Sequence, residues 1–387
     1  MTPAQSAAPT RLSRLAERAS TWEALLEELV RLESPSEDLP RLQAVAEVAA
    51  QRTRELIQPA SLEILTATGP PAVRVRLQGK GGPSVLLLGH LDTVWDVGAF
   101  EPLFEVNKGI ARGPGVFDMK GGLVIGIAAL TALREAEGSA PEVTLLCTAD
   151  EEVGSATSRA LIESEARRHQ AVLVLEPPMA GAVKIARKGV GTYKIEIEGR
   201  SAHAGLEPES GVNSVVELAA MVDEIAAMAR PELGTTVTPT VFTGGGRINV
   251  VPAHAELSCD VRFSTMAEAQ RLEVALRDLR ARDPQARVRI SGSANRPPLE
   301  PSASRSLFGI AQRVAAELAL GELQGASVGG GSDGNFTAAM GVPTLDGMGI
   351  VGGQAHAAGE WADLDSIPSR AALVAGVVEA VARGDLG

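Results

Sequence analysis

Two hydrophobic patterns divide the chain at about residue 189. Before that point, helical repeats alternate with short runs that are apolar at nearly every position, at 85–88, 143–147 and 171–175. Continuous apolar runs of this length are typical of parallel strands that are buried on both faces. Alternation of such strands with helices predicts an α/β sandwich.

The helices of this first part show sequence signals of their own. One is predicted to begin after Ser20, where Glu23 completes a capping box, and others are predicted at 39–56 and 123–136. A further strand is predicted at 73–77, and a frayed segment at residues 1–10.

The pattern changes after Gly189. Tyr193, Ile195 and Ile197 alternate with charged residues, which is typical of a sheet with one face in water. The following predicted elements are a helix at 212–228, strands at 236–242 and 255–263, a helix at 267–282 and a strand at 288–290. The order β-α-β-β-α-β predicts a ferredoxin-like fold.

Helical spacing returns at 307–318 and 370–383, with a glycine-rich loop at 329–334 between them. We therefore predict a three-layer α/β/α catalytic domain, formed by residues 1–189 and 298–387. A smaller α+β domain is expected as an insert at 190–297.

Composition narrows the class of protein. The 387 residues contain 36 Lys and Arg against 48 Asp and Glu, a formal charge of −12 that argues against nucleic acid and anionic membranes as partners. No apolar stretch approaches a membrane span and residues 1–31 contain no signal-like core, so a cytoplasmic location is expected. Cys147 and Cys259 are predicted to be separate buried thiols.

Acidic and imidazole side chains follow the predicted strands. His90 and Asp92 share one face at the end of the strand at 85–88, so Asp92 can orient a ligating imidazole. Glu151 and Glu152 follow the strand at 143–147, and Glu176 follows the next strand. The carboxyl ends of such strands are where α/β sheets bind ligands, so a cage for two metal ions is indicated.

Each of these side chains has a simpler interpretation. Asp118, at a turn that opens a helix, is either an N-cap or a carboxylate that bridges two cations. The Asp-Glu-Glu run at 150–152 is either a solvated acidic turn or a functional group of carboxylates, of which one binds metal and another transfers a proton. His356, in a loop of small residues, is equally well a ligand or an ordinary loop histidine. His203 lies in the insert, from which it would act as part of a lid, whereas His169 and His254 are interpreted as surface or edge residues.

A competing motif is Gly330-Gly331-Ser332-Asp333-Gly334, which fits the nucleophile elbow of serine hydrolases, with Asp346 and His356 following in triad order. The segment before it is a weak strand, and the acidic residues would have no role. We favour a loop in which glycines, including Gly330 and Gly331, present backbone N–H groups to a substrate.

These motifs, taken in order along the chain, resemble the M20 family of dinuclear zinc peptidases and amidohydrolases, and most closely its glutamate carboxypeptidase branch. The resemblance extends from about Ser34 to the C-terminus. It implies a site for two zinc ions, with Co²⁺ and Mn²⁺ as substitutes, in which Asp118 bridges both ions. The implied ligand pairs that complete the two sites are His90 with Glu176, and Glu152 with His356.

The same resemblance implies roles around the metals. Asp92 would fix the tautomer of His90, and Glu151 would be the general base. The insert would be a dimerisation domain through which a homodimer forms, with His203 and Asn249 reaching the partner's active site. The cations expected to bind substrate carboxylates are Lys184, Arg262 and Arg296.

The expected function is a zinc metallocarboxypeptidase that hydrolyses a peptide or amide bond to a free C-terminal amino acid, with glutamate favoured, through a water shared by the two ions. The alternative is an N-acyl-amino-acid deacylase of the acetylornithine or succinyl-diaminopimelate type. A non-catalytic scaffold is a third interpretation, against which Glu151 and His203 argue.

Overall fold

The computed structural model describes residues 11–67, 69–79, 81–136 and 141–386; the expected frayed segment 1–10 lies outside these residues. The chain divides into two compact units. The larger comprises Met1–Ala186, Pro301–Ser327 and Ser332–Gly387, and the smaller comprises Arg187–Glu300 and Val328–Gly331.

The larger unit is built on a six-stranded sheet of order β1-β2-β6-β3-β7-β14. These strands are β1 Ser61–Leu65, β2 Ala72–Leu77, β3 Val85–His90, β6 Val143–Thr148, β7 Ala171–Val174 and β14 Thr344–Leu345. β6, β3, β7 and β14 are parallel neighbours, whereas β2 runs antiparallel to β6 and β1 antiparallel to β2. Every residue of β3 and β6 is buried, as the continuous apolar runs predicted.

Helices cover both faces of this sheet, which confirms the three-layer prediction. Side chains of β3 alternate between two cores, with Val85 and Leu87 in one and Leu86 and Leu88 in the other. The helices of the unit are α1 Ala19–Arg31, α2 Leu39–Ile57, α3 Gly121–Glu135, α4 Arg159–Ala166, α7 Pro301–Glu317, α8 Gly334–Ala339 and α9 Ser366–Ala382. α4 packs on the second core, and α1, α2, α3, α7 and α9 pack on the first.

One expectation about a helix was wrong. The predicted capping box at Ser20 does not form, because α1 begins at Ala19 after Arg18, and residues 11–17 are helical as well. The segment Val116–Glu135 also has the length and apolar character of a membrane span. Its most apolar stretch is 89% buried inside the protein, so α3, which makes up most of the segment, is a core helix of this unit.

A second, small sheet was not predicted. It has the order β15-β16-β5-β4, formed by β4 Glu105–Asn107, β5 Ile110–Arg112, β15 Gly352–Gly353 and β16 Trp361–Asp363. β5 leads into the turn that contains Asp118, and the loop between β15 and β16 contains His356. Pairing of β16 with β5 therefore brings two segments that are far apart in sequence into contact. β8 Val183–Arg187 and β13 Gly325–Val328 form a two-stranded sheet.

The smaller unit contains an antiparallel sheet of order β10-β11-β9-β12 with two helices. Its elements are β9 Gly189–Glu198, α5 Ser214–Ala226, β10 Thr236–Gly244, β11 His254–Phe263, α6 Met266–Arg277 and β12 Arg287–Arg296. This is the predicted β-α-β-β-α-β order. The predicted insert had the bounds 190–297, and its alternating residues Tyr193, Ile195 and Ile197 face the core of this unit together with buried Cys259.

Candidate metal centre

His90 is the last residue of β3, and its side chain is 2% exposed. Its Nδ1 lies 2.9 Å from the main-chain oxygen of Asp92 and 3.3 Å from Asp92 Oδ1. Nδ1 is therefore the donor nitrogen, and Nε2 points away from Asp92. Nε2 lies 3.5 Å from Asp118 Oδ1 and 3.4 Å from Glu176 Oε1.

Asp118 lies in a short turn, Val116–Lys120, between β5 and α3. The interpretation of Asp118 as a helix N-cap is wrong, because Lys120 occupies the N-cap position of α3 and no side chain caps it. The two carboxylate oxygens face two histidines instead: Oδ1 faces His90, and Oδ2 lies 3.2 Å from His356 Nε2. One carboxylate thus lies between two imidazoles.

The acidic residues after β6, at 150–152, make different contacts. Asp150 accepts hydrogen bonds from Thr157 and the main chain of Ser158, so it shapes the turn that follows. Glu152 Oε2 lies 3.3 Å from His356 Nε2. The main-chain N–H groups of Glu151 and Glu152 donate to the carboxylate of Asp92, at 3.2 and 3.1 Å. Asp92 therefore holds both the imidazole of His90 and the backbone of the two glutamates.

His356 is held in a conformation that few residues adopt. Its φ is +60°, in the left-handed region, and its side chain is 50% exposed. A non-glycine residue in this region is uncommon, and histidine is among the residue types enriched there. The turn directs Nε2 towards Asp118 and Glu152.

The side chains form two groups of three potential ligands, whose donor atoms lie within 4.8 Å of one another. His90, Asp118 and Glu176 form one, and Asp118, Glu152 and His356 form the other, so Asp118 belongs to both. Two donors bonded to one tetrahedral zinc ion at about 2.0–2.1 Å lie about 3.3–3.4 Å apart. The nitrogen-to-oxygen separations of 3.2–3.5 Å match this spacing.

Buried atoms also fit a pair of divalent cations. Among the described residues, His90 Nε2 and Glu152 Oε1 are buried without a hydrogen-bond partner. The three carboxylates in this pocket repel one another unless positive charge is present. The donor set of nitrogen and oxygen atoms is the one that zinc takes in catalytic sites.

The pKa values of the histidines and of Glu152 also indicate that the carboxylates of this site require positive charge nearby. Although burial opposes a charge on His90, the neighbouring Asp118, Asp92 and Glu176 raise its pKa well above the ordinary value. Hydrogen bonds to Asp118 and Glu152 raise the pKa of His356 to about 10. Burial raises the pKa of Glu152. Protons on the imidazoles thus supply positive charge that a cation would supply in their place.

Sequence reasoning missed several side chains that surround the cluster. Ser36 donates to Asp92 Oδ2 at 2.7 Å. Glu360 is fully buried and accepts the main-chain N–H of Asp118. Lys120 is fully buried, and burial lowers its pKa to about 7. A lone acid before an aromatic strand residue, Gly359-Glu360-Trp361, was the only sequence signal for Glu360.

Ser332 is not a nucleophile in this structure. Its hydroxyl is fully buried and donates to Asp346 Oδ2 at 2.6 Å, while His356 contacts Asp118 and Glu152. A nucleophile elbow requires an exposed hydroxyl that is hydrogen-bonded to a histidine. The serine hydrolase interpretation is therefore excluded for this loop.

Two predicted residues of the smaller unit lie on adjacent segments. The main-chain N–H of Ala204 donates to the carbonyl of Asn249, and both His203 and Asn249 are exposed. His203 Nδ1 accepts the N–H groups of Gly205 and Leu206, at 3.1 and 3.2 Å. In the neutral ring the hydrogen is then on Nε2, which makes that atom a donor.

The predicted substrate cations have different surroundings. Arg262 forms a two-pronged pair with Asp260, with both distances 2.8 Å, so its fork already binds a carboxylate in this structure. Arg296, at the end of β12, is 5% exposed. Lys184 Nζ, in the larger unit, lies 3.8 Å from Glu176 Oε2.

The glycine-rich loop is anchored through its carbonyl groups. Arg187, which is 4% exposed, donates to the carbonyls of Gly330 and Gly331 at 3.3 and 3.0 Å. A Cβ added to Gly331 would lie 3.2 Å from Arg296 Cδ, so glycine leaves room for that arginine. Sequence reasoning did not identify Arg187, because a basic residue at a strand end is common.

Paired ligand groups beyond the ends of the parallel strands of a mixed sheet fit a metal-dependent hydrolase, and comparison with known proteins identifies the family. The model of "Peptidase family M20/M25/M40" matches residues 86–380. The chain belongs to this family. It is a hydrolase of the peptidase and amidohydrolase type, and the family typically binds two metal ions.

Two curated relatives point to different substrates. Carboxypeptidase G2 of Pseudomonas sp. (strain RS-16) is 30% identical over 315 residues, which cover 78% of this chain and 75% of that protein. Succinyl-diaminopimelate desuccinylase of Alkalilimnicola ehrlichii is 29% identical over 323 residues, covering 75% and 82%. The solved structure of the aminopeptidase PepT of Bacillus cereus has the same fold, with a TM-score of 0.76. The two sequences are 21% identical, and the match covers 94% of this chain and 99% of that one.

Proposed function

We propose that this protein is a two-zinc carboxypeptidase that releases a C-terminal amino acid, with glutamate favoured, from a small peptide or N-acyl substrate. The observation that supports it most is the position of Asp118 between His90 and His356. In this proposal Asp118 bridges the ions, His90 and Glu176 complete one site, and Glu152 and His356 complete the other. Bound zinc would acidify water and polarise the scissile carbonyl.

Glu151 is the proposed general base. Its backbone is held by Asp92, which also holds His90, so base and ligand share one support. Glu151 would take a proton from the attacking water and return it to the leaving amine. His203 is proposed to donate its Nε2–H to the carbonyl oxygen, which becomes the oxyanion when water adds to the carbonyl carbon. Asn249, on the neighbouring segment, would assist it.

The proposal includes a homodimer formed through the smaller unit. β10 is an edge strand of its sheet, and Val241 and Phe242 on it are 52% and 43% exposed. Val216 on α5 is 59% exposed. An edge strand with exposed apolar residues favours pairing with a second copy. His203 would then donate its hydrogen bond in the partner's active site. The cytoplasmic location stays a prediction.

Substrate choice rests on Arg296 and the relatives. A buried arginine suits a substrate carboxylate because its fork binds both oxygens. Carboxypeptidase G2 favours the carboxypeptidase assignment, and the desuccinylase favours the alternative, an N-acyl-amino-acid deacylase. Lys184, Gly330 and Gly331 are the other residues that we propose to lie at the substrate.

The test is release of free amino acid from zinc-loaded protein, with and without chelator. The panel contains dipeptides and N-benzoyl amino acids ending in Glu, Asp, Ala or Lys, together with N-acetyl and N-succinyl amino acids. Chelator-sensitive release that is fastest for C-terminal Glu supports the carboxypeptidase. Release confined to short acyl groups selects the deacylase, and no release from any substrate contradicts both.

A further inference from the structure

Glu360 is a fully buried carboxylate on which four N–H groups converge. Oε1 accepts the main-chain N–H groups of Phe117 and Asp118, both at 2.9 Å. Oε2 accepts the main-chain N–H of Gly115 at 3.1 Å and the indole N–H of Trp95 at 2.8 Å. Three of the four donors belong to the turn that presents Asp118.

This turn needs an external acceptor. Asp118 has φ −114° and ψ 95°, and Met119 has φ −133° and ψ 35°, so neither residue is helical. Gly115 has φ +72°, and a Cβ there would lie 2.5 Å from Thr93 Cγ2. Backbone N–H groups that are buried in such a turn lose free energy unless an acceptor from elsewhere meets them. Glu360 supplies that acceptor.

Glu360 is also tied to the loop of His356. Its own N–H donates to the carbonyl of Ala357 at 2.8 Å, one residue after His356. The next residue, Trp361, pairs with Arg112, the last residue of β5, which leads into the Asp118 turn. The side chain of Glu360 thus holds one loop, and its main chain holds the other.

We propose that Glu360 is a positioning residue of the metal centre, whose carboxylate fixes the Asp118 turn relative to His356. This inference rests on the proposed function in so far as Asp118 and His356 bind metal. These hydrogen bonds go to main-chain N–H groups and not to the oxygens of Asp118 that face the histidines, so Glu360 acts through the backbone of the turn. Outer groups of this kind commonly contribute about 10–100-fold to metal affinity.

The variant that tests this is Glu360→Gln. Glutamine has the same shape but one oxygen for four donors, and its NH₂ group faces two of them. The matched control is Glu165→Gln, because Glu165 is also buried, at 1% exposure, and its carboxylate accepts from Arg74 and Arg76. Both variants lose a buried carboxylate, but only one alters the turn.

Two measurements are made on each protein. Amide hydrogen exchange of Phe117 and Asp118 is followed in the metal-free protein, and zinc affinity is measured by competition with a chromophoric chelator. We expect Glu360→Gln to speed exchange at these amides about tenfold or more and to weaken zinc binding about 10–100-fold. Glu165→Gln is expected to lower the melting temperature and to keep wild-type values for both measurements.

Wild-type exchange and wild-type zinc affinity in Glu360→Gln would overturn the inference. If Glu360→Gln does not fold, the second variant is Trp95→Phe, which removes one donor and leaves the carboxylate. Slower loss of zinc than in wild type, or unchanged zinc affinity and amide exchange, would overturn the inference equally. A wild-type protein that binds no zinc pair refutes the proposed function, and the exchange data still test whether Glu360 holds the turn.

Discussion

His90 and His356 approach opposite oxygens of one carboxylate. His90 Nε2 lies 3.5 Å from Asp118 Oδ1, and His356 Nε2 lies 3.2 Å from Asp118 Oδ2. The two histidines are supported differently, since His90 ends a buried strand and His356 lies in an exposed turn with positive φ. Asp118 is the only described residue that belongs to both ligand groups around these histidines.

This arrangement predicts that Asp118→Asn weakens binding at both metal sites, whereas Glu152→Gln weakens one. Asparagine offers a single neutral oxygen, so it cannot bridge two cations. Metal content after dialysis is expected to fall from two zinc ions per chain to one in Glu152→Gln, and to below one in Asp118→Asn. The exposed Asp96→Asn serves as the charge-matched control. Two tightly bound zinc ions in Asp118→Asn would refute the bridging role.

His203→Ala is predicted to lower kcat about 10²-fold without a change in zinc content, because one donor to the oxyanion is lost. Exposed His254→Ala is the matched control. If His203 acts on the partner's site, mixing the His203→Ala and Glu151→Gln proteins should restore activity. Random exchange into dimers gives about a quarter of the wild-type sites. No recovery on mixing, with dimers present, would show that His203 acts within its own chain.

Acid stability provides a third prediction, at Glu268 in the smaller unit. Hydrogen bonds from Arg271 and Thr235 lower the pKa of Glu268 to about 2 from its ordinary 4.5. Because the folded pKa is the lower one, this carboxylate stabilises the fold above about pH 4.5, and the stabilisation is lost as the pH falls towards 2. We expect Glu268→Gln to lower the free energy of unfolding by about 1–2 kcal/mol at pH 7.

Urea denaturation at several pH values measures this effect. The difference between wild type and Glu268→Gln should shrink steadily below about pH 4.5. The exposed Glu224→Gln, on α5, makes the same change of charge and should leave stability unaltered within about 0.5 kcal/mol. A difference that is constant with pH would mean that packing, and not charge, is what Glu268 contributes.

Strand and helix positions could be predicted because they depend on local patterns. The runs at 85–88 and 143–147 are buried on both faces, and the alternation at Tyr193, Ile195 and Ile197 marks one buried face. Residues after these strands were recognisable for a related reason, since the carboxyl ends of parallel strands meet at one edge. His90, Glu152 and Glu176 were predicted as ligands in this way.

Other features depend on partners distant in the sequence. Glu360 contacts Asp118 across 242 positions, and nothing near either residue in sequence indicates that contact. The sheet that joins β5 to β16 has strands of two or three residues, too short for a periodic signal. His169, expected at the surface, is 7% exposed, because its ring bonds the carbonyl of Glu165 and the hydroxyl of Thr144. Local pattern does not report such pairings.

Two-zinc hydrolysis with Glu151 as base is tested by the turnover of Glu151→Gln, measured beside its zinc content. We predict two zinc ions per chain, as in wild type, with kcat lowered about 10²–10⁴-fold, because a proton-transfer group is lost while every proposed ligand is kept. Wild-type turnover in a fully loaded Glu151→Gln protein would refute the proposed function, since hydrolysis would then proceed without the proposed base.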